Sequence, residues 1–269
     1  MNDNRMTAKK LADALAVALI VIILFGLFGI TGVFSELGAR IEGKEEKTET
    51  NTYSAEKITD LEIETATADI IITKGSSLSI ESDRFGFSLK EKKGKITLEE
   101  RGGIFALDKN RKVEITLPEG FTFERVEIET GASDISGDAL KTNVLEFDIG
   151  AGSIALDRLE VTEKAKIDCG AGEFILNDGT INNLDFSLGV GNAKVNSVLT
   201  SDCDFECGVG ELELNLPDGK DNYSFRFDTG LGPVLLDSQR IRSGAEIGSG
   251  SNKIHVEGGV GSINISFNK

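Results

Sequence analysis

Tryptophan is absent from this chain, and tyrosine and histidine are nearly so. Carbohydrate clefts usually present aromatic faces, so two tyrosines (Tyr53 and Tyr223) and no tryptophan argue against a sugar-binding site. The single histidine, His255, leaves little room for zinc coordination or for a catalytic triad, because both depend on imidazole. These shortages favour a protein that works without aromatic clefts or histidine chemistry.

Positive charge is also scarce, since 29 Lys and Arg stand against 45 Asp and Glu and give a net charge of −16. Binding to nucleic acid, or to anionic lipid through the folded surface, needs an excess of positive charge, so both are disfavoured. Cationic partners and divalent cations remain compatible with this balance. With 31 glycines among 269 residues and 39% apolar residues, the chain has the composition of a folded, glycine-punctuated protein.

One uncharged apolar run, LAVALIVIILFGLFGITGVF, covers residues 15–34. At about 1.5 Å per residue, a helix of this length spans the roughly 30 Å hydrocarbon layer of a bilayer. The run is longer than the apolar core of a signal peptide, and the SELGAR that follows is a poor cleavage site. We therefore predict an uncleaved transmembrane anchor that contacts the lipid bilayer through residues 15–34.

Basic residues flank the anchor equally, three within residues 5–10 and three within residues 40–47, so the positive-inside rule does not decide its orientation. We predict residues 1–14 as a short cytoplasmic tail and residues 35–55 as a flexible polar spacer. Residues 56–269 then form one folded domain. The expected location is a single-pass protein of the cell membrane with this domain outside the cytoplasm.

The rest of the chain repeats one pattern about every twenty residues. Two runs of alternating apolar and polar residues flank a Gly-x-Gly, as in FDIGAGSIALD at residues 147–157. Seven of the eight copies have glycine at the first of these two positions, and in the central copies these glycines are 19 or 20 residues apart. The copies begin at Leu61, Val126, Leu145, Ala165, Leu184, Cys203, Phe225 and Ile254.

A twenty-residue period of paired short strands is typical of a parallel β-solenoid, in which each coil stacks on its neighbour. We therefore predict an all-β solenoid preceded by one N-terminal transmembrane helix. The glycines form the corner of each coil, where the backbone turns sharply and packs closely. KVEITLPEGFTFERVEIETGASDI from Lys112 aligns without a gap on ELELNLPDGKDNYSFRFDTGLGPV from Glu211, so we expect degenerate coils between Ala66 and Gly131 and turns at LPEG and LPDG.

Alignment of the copies predicts one inward column of apolar residues. Stacked phenylalanine rings bury about 150–250 Å² each and should dominate the core. The column consists of Ile63, Ile128, Phe147, Ile167, Phe186, Phe205, Phe227 and Val256.

The three cysteines also fall on inward positions. Cys169 and Cys207 occupy the same position two coils apart, about 9–10 Å, whereas a disulfide needs Cα atoms within about 7 Å. Cys203 lies four residues before Cys207, about 13 Å along the strand. We predict three buried free thiols. A Cys-x-x-x-Cys metal site is the alternative, although the sequence offers no third or fourth ligand.

The outward positions beside the corner are predominantly acidic. The second and fourth positions of the copies together hold twelve acidic residues against Lys166 and Arg226. Like charges on neighbouring strands destabilise a sheet, so this face serves either solubility or the binding of a basic partner or divalent cation. The candidate interaction face consists of Glu129, Asp148, Asp168, Glu206 and Asp228.

An anchor, a charged spacer and this glycine-cornered repeat together resemble one bacterial family. The motifs VEIETGASDIS, FDIGAGSIAL, KIDCGAGEFIL and EGGVGSINI are similar to those of the toastrack, or "putative adhesin", proteins of Gram-positive cell envelopes. The resemblance covers residues 56–269. It implies a β-strand-repeat fold, an adhesive or scaffolding role, for some members a place in envelope-stress signalling, and no catalytic residues.

We therefore predict a non-catalytic scaffold or interaction module that needs no cofactor. One alternative is a β-helix enzyme acting on polysaccharide, for which Asp148 and Asp168 on adjacent coils would be the carboxylate pair. Another is a polymer that assembles through unpaired strand edges at the solenoid ends. In that case the hairpin region at residues 78–117 would cover one end, and the strand ending at Phe267 would stay open.

Overall fold

A computed structural model describes residues 48–101 and 111–267. The predicted tail, the predicted anchor at 15–34 and residues 35–47 of the predicted spacer lie outside these ranges. Within the described ranges, no helix is long and apolar enough to cross a bilayer. The sheet begins at Thr48, so the last part of the predicted spacer is a strand that pairs with the folded domain.

The described residues form twenty strands, all hydrogen-bonded into one sheet, and two short 3-10 turns, Ala55–Lys57 and Lys220–Asn222. The first ten strands are β1 (Thr48–Tyr53), β2 (Asp60–Thr65), β3 (Asp69–Gly75), β4 (Leu78–Asp83), β5 (Phe87–Lys92), β6 (Lys95–Glu100), β7 (Lys112–Pro118), β8 (Phe123–Ala132), β9 (Ile135–Gly137) and β10 (Leu140–Leu156). The others are β11 (Leu159–Leu176), β12 (Gly179–Asn182), β13 (Leu184–Asn196), β14 (Val198–Thr200), β15 (Asp202–Asn215), β16 (Tyr223–Leu231), β17 (Val234–Leu236), β18 (Gln239–Ile241), β19 (Glu246–Gly248) and β20 (Asn252–Ser266). The all-β prediction is confirmed.

Each central coil has three sides, one more than the sequence pattern suggested. The two long sides meet at the glycine corner without a break in the strand, and β10 and β11, which also include the short third side, run for 17 and 18 residues. A short third side is formed by Leu140–Thr142, which pairs in parallel with Leu159–Val161, and that segment pairs in turn with Gly179–Ile181. The coils stack in parallel register, with each repeat opposite its equivalent, as in a β-solenoid.

The coils do not stack in chain order at either end of the domain. The final strand, β20, lies between β15 and β16, so the last coil of the sequence is the second-to-last coil of the stack. In the same way, β2 lies between β6 and β8, and β3 lies between β7 and β9. The β2–β3 coil and the β20 coil are therefore each held between two neighbouring coils.

After the LPEG turn and after the LPDG turn, the chain skips one position in the stack, which a coil from another part of the chain occupies. The first turn follows β7, and the chain then reaches β8 on the far side of the β2–β3 coil. The second follows β15, and the chain then reaches β16 on the far side of β20. Gly120 and Gly219 within these turns have positive φ angles of 76° and 89°. The segments from Lys112 and from Glu211, which align in sequence, thus make the same kind of crossover at the two ends of the stack.

Antiparallel strands cover both ends of the stack. At one end, β5 pairs with β6, β4 pairs with β7, and β1 pairs with β4. At the other end, β19 pairs with β16 and β18 pairs with β17. The expectation of an open C-terminal strand is therefore wrong, because β20 is hydrogen-bonded on both sides. The hairpin expectation holds for β4 and β5, whereas β6 and β7 belong to a coil.

The predicted inward column is confirmed, with its last two members exchanged. Phe147 pairs with Ile167, Ile167 with Phe186, and Phe186 with Phe205. Phe205 is followed by Val256 and then by Phe227, because β20 lies before β16 in the stack. All members of the column are at most 1% exposed, and the Phe186 and Phe205 ring centroids lie 5.6 Å apart.

The three cysteines are free thiols, as predicted. Leu188 separates Cys169 from Cys207 in the stack, which confirms their register. Cys203 and Cys207 are buried, whereas Cys169 is only partly buried. Burial raises the pKa of Cys203 to about 11 and the pKa values of Cys169 and Cys207 to about 12, so all three remain protonated at neutral pH.

Candidate functional site

The predicted acidic positions form one column across the stack of coils. Each fourth-position residue lies opposite its equivalent on the neighbouring strand, and Ser187 is the one member without a carboxylate. The column also gains Glu99 of β6, which pairs with Glu64. In stacking order, the acidic column is Glu99, Glu64, Glu129, Asp148, Asp168, Ser187, Glu206, Glu257 and Asp228.

Ion pairs divide this column into compensated and uncompensated parts. Lys166 Nζ lies 2.7 Å from Asp168 Oδ2, and Arg226 Nε lies 3.0 Å from Asp228 Oδ2. Within the described residues, Glu64, Glu129 and Asp148 form no ion pair, although they occupy three successive strands. Strands in a sheet are about 4.8 Å apart, so these three carboxylates lie close together, and the nearby Lys166 charge acts on one of them, Asp148.

His255 adds a second feature to the other end of the column. Its Nε2 lies 3.0 Å from Asp228 Oδ2, and its Nδ1 lies 3.3 Å from Asp204 Oδ1. The hydrogen bond from His255, together with the nearby Arg226 charge, holds the pKa of Asp228 below its usual range despite some burial. From the sequence, His255 was assessed only as a zinc ligand or a triad member. Its second position in the last repeat nevertheless places it beside these acids.

The acidic side chains do not gather into a metal centre. Within residues 48–101 and 111–267, no three His, Cys, Asp or Glu side chains are arranged to hold a metal ion. The predicted divalent-cation site therefore has no cluster to support it in the described part of the chain, and the Cys203–Cys207 pair gains no further ligand there.

Asp148 and Asp168, the pair considered for polysaccharide chemistry, lie directly opposite each other on β10 and β11. Both are members of the column described above. Hydrogen bonding to Asp168 raises the pKa of Lys166, so this lysine remains protonated beside it. Asp168 is therefore held in an ion pair with Lys166 as a member of the acidic column.

One family model matches residues 58–266 of this chain, the range that contains the glycine corners. The chain belongs to the Toastrack DUF4097 family. The resemblance in the sequence motifs is thereby confirmed. A comparison with curated proteins finds no match for this toastrack protein.

Several solved structures are similar to the toastrack domain at low identity. A "putative cell adhesion protein" from Clostridium sporogenes is 16% identical over 83% of this chain and 100% of its own, with a TM-score of 0.35. A "putative adhesin" from Bacteroides fragilis is 14% identical over 82% and 98%, with a TM-score of 0.36. A "putative lipid binding protein" from Parabacteroides distasonis is 13% identical over 81% and 96%, with a TM-score of 0.34. At this level of similarity, these names carry no argument about what this toastrack domain binds.

Glu99 is the column member that the repeat pattern missed. Its strand, β6, lacks the Gly-x-Gly that identified the other copies. The available signal was the alternation in KITLEE, whose apolar members Ile96 and Leu98 are fully buried in the structure. Aligning Leu98 with Ile63 would have placed Glu99 beside Glu64.

Proposed function

We propose that this toastrack protein is a non-catalytic interaction module that binds a cationic protein or envelope polymer. In this proposal, residues 15–34 tether it to the cell membrane, and the solenoid lies on the outer side, in the setting of envelope-stress signalling. The observation that carries the binding proposal is the run of Glu64, Glu129 and Asp148, which form no ion pair within the described residues.

This run of carboxylates carries an energetic cost. Two carboxylates about 5 Å apart in water repel each other by about 0.8 kcal/mol. Elsewhere on the same face, Lys166 and Arg226 remove such repulsion with ion pairs. Three neighbouring carboxylates that form no ion pair of their own offer a cationic ligand closely spaced acceptors on a rigid sheet.

Binding can be tested with a fluorescent lysine octapeptide and the full-length protein in zwitterionic nanodiscs. We expect the triple variant Glu64→Gln, Glu129→Gln, Asp148→Asn to bind at least about tenfold more weakly, since each lost charge contact weakens binding. A charge-matched control replaces three exposed acids outside the column, Glu119→Gln, Glu163→Gln and Asp221→Asn. Equal loss in the control variant would show that net charge alone governs binding and would refute the proposal.

The proposed location can be tested in intact cells. Ser251 is exposed, and the native thiols stay protonated, so the variant Ser251→Cys carries one reactive cysteine in the described part of the domain. A membrane-impermeant maleimide should label this variant in whole cells. Labelling only after cell lysis would contradict a domain on the outer side.

A further inference from the structure

A second column of side chains projects from the glycine corner itself. It consists of the middle residue of each Gly-x-Gly and of Ala132 in the Gly-Ala-Ser corner of β8, and its members pair strand by strand across the stack. In the first half of the stack these residues are alanines, and in the second half they become larger. The larger members, called here the corner ridge, are Val190, Val209, Val260 and Leu231 in stacking order.

The corner ridge collects most of the exposed apolar side chains of the described residues. Val209 and Val260 are each 46% exposed, and Leu231 is 74% exposed. Only one other large apolar residue in the described ranges, Phe85, is comparably exposed. Single exposed apolar residues are ordinary on protein surfaces, but a contiguous row of them marks a contact surface.

Glycines give the ridge its shape. Val209 stands between Gly208 and Gly210, and Leu231 stands between Gly230 and Gly232, so the residues on either side of each ridge member have no side chain. A Cβ at Gly210 would lie 1.7 Å from the carbonyl oxygen of Gly191, which shows how tightly the coils pack at this corner. The apolar side chains therefore project from a bare backbone surface, and a partner can approach them from both sides.

The spacing of the ridge matches that of an α-helix lying along it. Parallel strands are about 4.8 Å apart, and one helical turn rises about 5.4 Å. From Val190 to Leu231 the ridge spans three strand spacings, or roughly 14 Å, which corresponds to about ten helical residues. A helix with an apolar stripe can thus place one side chain per turn between successive ridge members, as in helix-in-groove recognition.

The charges beside the corner ridge indicate which kind of partner can bind there. Each exposed ridge residue follows an acidic column member by three positions, as Glu206 precedes Val209 and Asp228 precedes Leu231. On the opposite side, exposed Glu211 follows Val209 by two positions. A second copy of this chain would bring the same carboxylates against each other, and an anionic bilayer would also be repelled. Lysine and arginine along the edges of an apolar stripe would instead be attracted.

We propose that the corner ridge binds an amphipathic helix of a partner protein, with an apolar stripe edged by lysine and arginine. This inference rests on the proposed interaction function and assigns it a second surface. The ridge supplies apolar contact, and the flanking Glu206 and Glu211 orient the basic edges of the helix.

The probe for this surface is an 18-residue synthetic peptide with leucines at helical spacing and lysines on both flanks. Its binding to full-length protein in zwitterionic nanodiscs is measured by fluorescence anisotropy, with empty nanodiscs as the blank. The variant Val209→Ser, Val260→Ser, Leu231→Ser should bind the peptide at least about tenfold more weakly, because it loses the apolar contact. The matched control, Ala132→Ser, Ala151→Ser, Ala171→Ser, alters the same column in its alanine half and should change binding less than about twofold.

Two further comparisons keep the outcomes distinct. Leu231→Ser alone, at the most exposed ridge position, gives the same readout should the triple variant not fold. A scrambled peptide of equal composition and charge should bind weakly, and equally so, to the parent protein and to the ridge variant. Unchanged peptide binding by the ridge variants, or equal binding of the scrambled peptide, would overturn the inference. A ridge-dependent dimer in sedimentation equilibrium, or ridge-dependent binding to zwitterionic vesicles, would also overturn it.

The lysine octapeptide separates failure of this inference from failure of the proposed function. If octapeptide binding depends on Glu64, Glu129 and Asp148 but the ridge variants bind the helical peptide as the parent does, only the ridge assignment is wrong. If neither peptide responds to its variants, the interaction function itself fails.

Discussion

At the scale of single residues, the second glycine of each corner is required by the neighbouring coil. These glycines have φ angles between 135° and 149°, which other residues rarely adopt. A Cβ on Gly191 would lie 1.8 Å from the Gly172 carbonyl oxygen, a distance that forces the two coils apart. The corner is therefore specified by contacts between coils as much as by the turn within one coil.

We expect Gly191→Ala to lower the free energy of unfolding by about 4 kcal/mol or more, because backbone strain and a backbone clash act together. Gly120→Ala is the control, since Gly120 also has a positive φ of 76° but nothing lies within 4 Å of its added Cβ. That variant should lose only about 1 kcal/mol. Chemical denaturation measures both, and equal losses would show that φ alone decides the cost.

The cysteines give a second prediction at this scale. Because burial raises their pKa values to about 11–12, we expect the native protein to react slowly with a thiol reagent at pH 8. In denaturant all three should react. Partly buried Cys169 should be the first to react in the native state. Rapid labelling of Cys203 or Cys207 would contradict the inward register.

At the scale of secondary-structure elements, a buried ion pair covers the corner between β2 and β3. Glu100 at the end of β6 accepts hydrogen bonds from the Thr65 hydroxyl and from the backbone amides of Ala66 and Thr67. Arg111 Nη1 lies 2.8 Å from Glu100 Oε1, and their side chains are only 3% and 5% exposed. The carboxylate thus accepts from backbone amides of this corner, just as the Ala66 carbonyl oxygen accepts from the Ala132 amide of the next coil.

This contact makes stability depend on pH. Burial opposes ionisation of Glu100, but its hydrogen bonds and the Arg111 charge outweigh burial and hold its pKa below the ordinary value of 4.5. A lowered pKa in the folded state stabilises the fold above pH 4.5, and this stabilisation is lost as the pH falls through the folded-state value.

Glu100→Gln should therefore destabilise the domain at pH 7 by about 3 kcal/mol, because Arg111 keeps a buried charge without its anion. Its stability should also fall less steeply than that of the parent protein below pH 4.5. Glu99→Gln is the control, because Glu99 pairs with exposed Lys90 and such pairs contribute about 0–1 kcal/mol. Identical acid unfolding of the Glu100 variant and the parent would rule out this role.

In the acidic column, by contrast, removing a carboxylate that has no ion pair should stabilise the domain. Glu129→Gln removes repulsion from Glu64 and Asp148, so we expect a gain of about 0.5–1 kcal/mol at low salt. Asp168→Asn, in the same column, loses its contact with Lys166 and should gain nothing. Thermal unfolding at low and high ionic strength measures both, and the gain should shrink at high salt. A destabilised Glu129→Gln would mean that the column holds stabilising contacts.

At the scale of the whole domain, the repeat made most of the fold predictable from sequence. The alternation around each glycine pair identified the inward column, the acidic column and the cysteine register, because coils in parallel register place equivalent residues opposite each other. The stacking order at the ends was hidden, since exchanging two neighbouring coils leaves every residue facing the same way. The third side was also hidden, because three-residue strands such as Val198–Thr200 are too short to show alternation. The shared LPxG segments were the available signal for the exchange.

The central claim is that β20 lies between β15 and β16, because both the acidic column and the corner ridge depend on this order. Engineered disulfides test it directly. Positions 206 and 257 are direct neighbours, about 4.8 Å apart, within the range of a disulfide, whereas positions 206 and 228 are two strands apart, about 9.6 Å. Under mild oxidation, Glu206→Cys with Glu257→Cys should form a cross-link detectable by peptide mass spectrometry, and Glu206→Cys with Asp228→Cys should not. A cross-link between 206 and 228 without one between 206 and 257 would show that the coils stack in chain order.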